Sequence, residues 1–282
     1  MSAVVVFIIF AICLVIAIPI SISLGIVAVL PGAFDASFTA SAGYVIRSMV
    51  GGIDSFPLLA VPMFVLAGIL MAHGKISEKL FDVFVYFLGN KRAGIPCAVI
   101  ITCLFYGAIS GSAPATVAAV GSMTIPLLIE LGYEKDFSTA IVAVAGGLGV
   151  IIPPSIPFIM YAMATGESVS DLFLAGIVPG MMISALLIFY AYYYCRRHGE
   201  DREKIQAKMD QLKTKGFVNI LKESIWALLS PVIVLGCIYS GVASPTEAAV
   251  ISVFYSLFVS LFIYKSIKVK QIWGIMVEAM KT

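Results

Sequence analysis

Charged side chains are scarce in this sequence of 282 residues. Asp, Glu, Lys and Arg make up 12% of it, against about 25% in a typical soluble domain. Hydrophobic residues make up 61%, and the mean hydropathy is +1.05. A net charge of +2 leaves no basis for predicting a nucleic-acid partner. The composition excludes an ordinary soluble domain and predicts an all-α, multi-pass membrane protein.

Motifs for enzymatic or metal chemistry are also lacking. The five cysteines show no CxxC or Cys/His spacing, so we interpret them as packing residues. No Ser/His/Asp, paired-carboxylate or phosphate-loop pattern occurs, which argues against an enzyme, a cofactor or a transition-metal site. Residues 4–30 lack a basic start and a cleavage signal, so we expect a retained membrane segment and not a signal peptide.

Long apolar runs recur along the whole chain. The candidate membrane segments are residues 4–30, 56–72, 93–129, 137–165, 172–195, 224–241 and 246–264. Residues 4–30 would form either one span or two short helices hinged at Pro19, since proline interrupts a helix. Residues 77–88 have the spacing of an amphipathic helix, and residues 217–226 and 269–280 predict similar arms.

The positive residues set the orientation of these segments. Residues 196–222 form the longest hydrophilic segment, with the basic residues Arg196, Arg197, Arg202, Lys204, Lys208, Lys213, Lys215 and Lys222. We place this segment and residues 265–270 in the cytoplasm, and residues 166–171 and 240–245 outside. Charged residues flank residues 93–129 on both sides. If both flanks are cytoplasmic, residues 93–129 form a re-entrant hairpin, and residues 137–165 cross once as a broken helix.

Small residues interrupt the middle of both of these apolar stretches. The interruptions are residues 107–115 and 146–155. Helix breaks inside a bilayer survive only where protein or a polar cavity surrounds them, and two breaks close together indicate a transporter binding site. The alternative is that Gly and Pro at these positions only permit helix kinks and close packing between helices.

The chemistry available at the breaks is that of neutral oxygen atoms. Neither stretch contains a carboxylate, Lys, Arg or His, so a bound cation would be coordinated by carbonyl and hydroxyl oxygens. Helix N-termini at the same breaks would suit the carboxylate of a solute. A cation together with an anionic solute is therefore the favoured combination.

Four segments resemble the large membrane subunit of tripartite ATP-independent periplasmic (TRAP) transporters, the DctM-like family. They are FPLLAVPMFVLAG at 56–68, GAISGSAPATVAAVG at 107–121, GGLGVIIPPS at 146–155 and PTEAA at 245–249. The resemblance implies a sodium-driven elevator-type importer of C4-dicarboxylates or sialic acid in the bacterial inner membrane. It also implies two partners, a small four-helix membrane subunit and a periplasmic solute-binding protein.

The resemblance implies a site as well. It places a sodium ion between the hairpin tip and the following broken helix. The implied sodium ligands are Ser110, Ser112, Gly149, Ile152 and Pro154. The solute would lie near Gly111, Ala113, Pro153 and Ser155.

Family members are well over a hundred residues longer, so we expect an N-terminal portion that does not transport alone. We divide it into scaffold and arm helices at 1–92, hairpin and broken helix at 93–166, a membrane helix and basic loop at 167–223, and the start of a second repeat at 224–282. A proline-headed similarity between residues 19–30 and 245–256 would mark that repeat, or arise by chance. Two alternative functions stay open: a receptor-independent sodium/dicarboxylate or citrate symporter, and a non-transporting membrane scaffold.

Overall fold

A computed structural model describes residues 3–34, 42–214 and 216–282. The predicted basic residue Lys215 lies outside the described residues. The α-helices are α1 Ala3–Val15, α2 Ile20–Phe34, α3 Ala42–Ile53, α4 Ala60–His73, α5 Ile76–Leu88, α6 Gly94–Ser110, α7 Ala113–Glu130, α8 Lys135–Gly146, α9 Ile156–Thr165, α10 Val169–His198, α11 Arg202–Thr214, α12 Phe217–Tyr239, α13 Pro245–Phe258 and α14 Val269–Lys281. Short 3₁₀ turns cover Phe56–Leu59 and Gly147–Val150, and a π-helical turn covers Val259–Ile263. The prediction of an all-helical protein is confirmed for the described residues.

Within those residues, five helical segments are long and apolar enough to cross a membrane. They are Phe56–His73, Ala113–Glu130, Val169–His198, Val218–Tyr239 and Pro245–Ile263. Shorter apolar helices include Val4–Val15, Ile20–Gly32, Gly94–Ser110 and Ile156–Thr165.

The chain divides into two compact units, residues 1–55 and 56–282. In the first unit the chain turns between α1 and α2, with Ala17 at φ +63°, and α2 begins directly after Pro19. The Ser23 hydroxyl donates to the Pro19 carbonyl over 3.2 Å. Of the two arrangements considered for residues 4–30, the structure therefore has two helices.

In the second unit, α4 and α13 are packed in parallel. The Thr246 hydroxyl donates to the Phe56 carbonyl at one end of the pair, over 3.2 Å. The Ser266 hydroxyl donates to the Gly74 carbonyl at the other end, over 3.0 Å. The side chains at the seam of α13 include the small, fully buried Ala248, Ala249, Ser252 and Ser256. Small residues let membrane helices approach closely, which accounts for this contact.

The predicted amphipathic segments have different outcomes. Residues 77–88 lie in α5, which buries Leu80, Phe81 and Val85 and packs on α6 and α12. Residues 269–280 form α14. The prediction of a separate arm at residues 217–226 is wrong, because α12 runs without interruption from Phe217 to Tyr239. No Gly or Pro lies between Phe217 and Pro231 to end the helix.

Glu200 connects the start of α6 with the segment that follows the end of α7. Its side chain is only 3% exposed, and its Oε1 accepts hydrogen bonds from the Ala93 N–H at 2.9 Å and the Tyr133 hydroxyl at 2.7 Å. Arg202 binds Oε2 at 3.0 Å and also donates to the Asn90 carbonyl. Burial, and then the hydrogen bond to Glu200, raise the pKa of Tyr133 well above its usual value. Because α6 begins and α7 ends at one carboxylate, the two helices run antiparallel.

Candidate functional site

The first helix break lies between α6 and α7. Gly111 ends α6 at φ +63° and donates its N–H to the Gly107 carbonyl over 2.9 Å. Glycine adopts this left-handed conformation without the steric cost that a side chain would add. Ser112 is extended, and Pro114 lies in the first turn of α7, where its missing N–H costs no hydrogen bond. The chain therefore reverses direction within two residues.

Three oxygen atoms converge just after this reversal. The Thr116 hydroxyl donates to the Ser112 carbonyl over 2.8 Å, and it lies 3.0 Å from the Ser110 hydroxyl. Ser110 and Thr116 are both completely buried. Buried hydroxyls need hydrogen-bond partners. The Ser110 and Thr116 hydroxyls are partners of each other, and the Ser112 carbonyl oxygen is a further partner of Thr116.

The second break lies between α8 and α9. After Gly146 the chain passes through the 3₁₀ turn and reaches Ser155, which is extended. The Ser155 hydroxyl donates to the Val150 carbonyl over 2.6 Å and accepts from the Phe158 N–H as the N-cap of α9. Among the described residues, the Ile152 and Pro154 carbonyls accept no backbone hydrogen bond. Peptide oxygens left free in this way are available to a ligand.

The two breaks contact each other. The Ile156 N–H at the start of α9 donates to the Gly111 carbonyl over 3.2 Å. A Cβ on Gly149 would lie 2.5 Å from the Thr116 hydroxyl oxygen and 3.0 Å from the Ser112 carbonyl oxygen. Only glycine allows this approach. The oxygen atoms of the first break therefore face the backbone of the second.

Most of the predicted site residues lie at this junction. Ser110, Ser112 and Gly149 come together, and the Pro154 carbonyl oxygen would lie 2.9 Å from a Cβ on Gly111. Ile152 is different: its N–H donates to the Leu148 carbonyl, and its side chain packs against Gly180 of α10. No described hydrogen bond joins Ile152 to the first break.

The residues predicted near the solute border the same junction. Gly111 and Ser155 flank the hydrogen bond that links the two breaks. Ala113 is half-buried at the start of α7, and Pro153 is buried.

Thr116 at this junction and Glu200 at the opposite ends of α6 and α7 were not predicted from the sequence. Thr116 follows Ser112 by four residues, about one helical turn, and this spacing was a usable signal. Glu200 is about a hundred positions from Ala93 in the chain, so no local pattern could have connected them.

Comparison with known proteins decides the family. A profile described as "Tripartite ATP-independent periplasmic transporter, DctM component" matches residues 7–282. This chain belongs to the DctM family. The expected resemblance is therefore confirmed, and the chain is a multi-pass membrane protein of this family.

Individual relatives agree with this assignment. The chain is 42% identical, over 97% of its length, to the isethionate TRAP transporter permease protein DctMQ of Oleidesulfovibrio alaskensis, of which it covers 42%. It is 34% identical, over 96% of its length, to the C4-dicarboxylate TRAP transporter large permease protein DctM of Rhodobacter capsulatus, of which it covers 63%. Identity to the sialic acid TRAP transporter permease protein SiaT of Haemophilus influenzae is 36% over 83% of the chain and 37% of that relative. The chain thus spans about half the length of the curated relatives it matches.

Proposed function

We propose that this DctM-family chain forms part of a sodium-coupled, ATP-independent importer of organic acids in the bacterial inner membrane. The observation that carries the proposal is the junction of the two helix breaks, where hydroxyl and peptide oxygens of uncharged residues meet. The solute would be a C4-dicarboxylate or a sialic-acid-like acid. A periplasmic solute-binding protein would deliver it, and a small four-helix membrane subunit would complete the transporter. The names of the relatives support this substrate class and this assembly.

The proposed sodium ligands are neutral oxygens. Ser110, Ser112 and Thr116 offer hydroxyl or carbonyl oxygens at the first break, and Gly149 and Pro154 offer carbonyls at the second break. Ile152 stays in the proposed set through its free carbonyl alone. Hard oxygen ligands suit an alkali cation. Since none of these ligands is charged, the bound ion keeps its full charge and can attract the solute's carboxylate.

The same junction favours an anionic solute. The N-termini of α7 and α9 both lie at the breaks, and each carries the positive end of a helix dipole. A carboxylate near Gly111, Ala113, Pro153 and Ser155 would meet these N-termini and the sodium ion together. Binding of ion and solute would then be mutually favourable, which is what coupled transport requires.

We further propose that α6 and α7 form a re-entrant hairpin. Residues 90–93, 133 and 200–202 lie together, beside the basic segment that the positive-inside rule assigns to the cytoplasm. The reversal at Gly111 and Ser112 joins α6, with 17 residues, to α7, with 18, as the two arms of a hairpin. The hairpin and the broken helix α8–α9 would be carried across the membrane in an elevator movement, with residues 1–92 and 224–282 in the scaffold.

Sodium-specific stabilisation of the purified chain tests the ion site. A ligand that binds only the folded state stabilises it by RT ln(1 + [L]/Kd), about 2.7 kcal/mol at a hundred times Kd. Thermal unfolding in detergent should therefore shift upward with NaCl and not with equal KCl or choline chloride. Identical shifts with all three salts would rule out a sodium site in this chain.

The topology and the partners need separate tests. A reporter fused after Lys208 should read cytoplasmic, and an external reading would contradict the orientation. Uptake by proteoliposomes containing the whole transporter with its small subunit should require a sodium gradient and an added solute-binding protein. Uptake without the binding protein would favour the receptor-independent symporter.

A further inference from the structure

A second groove, outside the junction of the two helix breaks, lies between α8 and α10. Its volume is about 470 Å³, which falls within the usual range of ligand pockets, about 300–1,000 Å³. One end is lined by Glu134, Asp136, Tyr190 and Tyr194. Of the described residues that line the groove, none is Lys, Arg or His. The charge on its lining is therefore purely negative.

The polar end of the groove is built from ordered aromatic rings. The Tyr194 hydroxyl donates to Glu134 Oε2 over 2.6 Å. The ring of Phe137 stacks on one face of Tyr194, with centroids 3.9 Å apart and planes 2° apart, and the ring of His198 stacks on the other face, with centroids 4.1 Å apart. Tyr190 is exposed, as are Glu134 and Asp136. Because both faces of Tyr194 are covered, Tyr190 is the aromatic side chain left to contact a ligand. Carboxylates and an aromatic ring both attract positive charge, so this end of the groove suits an organic cation.

The other end of the groove is apolar. It is lined by residues that include Ala140, Val144 and Leu187, and Val144 is 55% exposed. These side chains lie along α8 and α10, and α10 is long and apolar enough to span a bilayer. Glu134, in contrast, lies just past the end of α7 and next in the chain to Tyr133, which binds Glu200. The groove thus leads from a polar surface into the apolar part of the protein.

We propose that this groove binds one phospholipid with a primary ammonium headgroup, phosphatidylethanolamine. The ammonium would lie between Glu134 and Asp136 beside Tyr190, and an acyl chain would follow Ala140, Val144 and Leu187. Burial of the acyl chain does not select a lipid, because lipid tails are as apolar as the groove. Selection comes from the headgroup. The two carboxylates favour an ammonium and repel a headgroup that carries only negative charge.

Lipid binding to the purified 282-residue chain, measured by native mass spectrometry, tests this proposal. The probes are phosphatidylethanolamine, phosphatidylcholine and phosphatidylglycerol with identical acyl chains. We expect phosphatidylethanolamine to bind about tenfold more tightly than phosphatidylglycerol, or about 1.4 kcal/mol. Phosphatidylcholine should bind less tightly than phosphatidylethanolamine, because its methylated ammonium cannot donate hydrogen bonds to the carboxylates. Equal binding of phosphatidylethanolamine and phosphatidylglycerol would overturn the proposal.

Two pairs of variants separate the headgroup from the chain. E134Q/D136N should abolish the preference, and the amide oxygen introduced by E134Q can still accept the hydrogen bond from Tyr194. D210N, at an exposed carboxylate on α11, should leave the preference unchanged. A140F should reduce the binding of all three lipids by filling the groove, whereas A143F, at an exposed position of α8 that does not line it, should not. A preference that survives E134Q/D136N, or lipid binding that survives A140F, would show that the lipid lies elsewhere.

Discussion

Adding one methyl group to Gly149 should impair the proposed sodium site. The Cβ of an alanine would lie 2.5 Å from the Thr116 hydroxyl oxygen and 3.0 Å from the Ser112 carbonyl oxygen. Ordinary contacts are about 3.5–4.0 Å, so at least one of these oxygens would have to move by roughly 1 Å. Overpacking of this kind costs about 1–3 kcal/mol. If the strain opposes the ion-bound arrangement, sodium affinity falls about 5- to 150-fold.

Gly147→Ala is the matched control, because a Cβ on Gly147 would meet nothing within 4 Å. Both glycines lie in the same 3₁₀ turn, so the helix propensity of alanine affects them similarly. The assay is the sodium-dependent shift in thermal unfolding, measured against KCl at equal ionic strength. Gly149→Ala should shift the sodium titration to higher concentration, whereas Gly147→Ala should match the original chain. A Gly149→Ala titration that overlays the original one would refute the placement of the ion beside Gly149.

Two further predictions concern single side chains. Thr116→Val should shift the sodium titration about fivefold to higher concentration, since one hydroxyl bonded to the Ser112 carbonyl is worth about 1 kcal/mol. Thr124→Val is its control, because Thr124 is equally buried on α7 and donates to the carbonyl four residues earlier. Equal effects of the two variants would argue against a special role for Thr116. Glu200→Ala should lower the free energy of unfolding by about 2–4 kcal/mol, because it leaves the buried Ala93 N–H and Tyr133 hydroxyl without their hydrogen-bond partner. Thermal unfolding without sodium measures this loss. A loss no larger than that caused by Asp201→Asn would contradict the structural role of Glu200.

Local features of the fold were predictable from the sequence. Both helix breaks occur where small residues and prolines interrupt apolar stretches, since Gly111 and Ser155 each satisfy a specific backbone requirement. The start of α13 is another case, because a serine followed by a glutamate three residues later is what a capping box needs. The Glu247 N–H donates to the Ser244 hydroxyl, and the Glu247 carboxylate accepts from the Ser244 N–H over 2.7 Å.

Features that depend on distant contacts were not predictable. The role of Glu200 arises from an approach of α6, α7 and the segment after α10 that no local pattern encodes. The predicted arm at residues 217–226 failed for a related reason: its amphipathic spacing indicates a buried face, but not whether the helix ends there. Here the apolar residues after Trp226 continue the same helix. Thr116 lies between these cases, because its spacing was visible but its partners became clear only once the breaks met.

The parallel pair α4 and α13 can serve as an internal reference for distance measurements. Sliding one helix along the other by a single turn, about 5.4 Å, would separate Thr246 from Phe56 and Ser266 from Gly74 together. Probes attached to these two helices should therefore keep a constant spacing whatever the ionic conditions. Distances from that pair to the tip of the α6–α7 reversal would then report displacement of the tip alone.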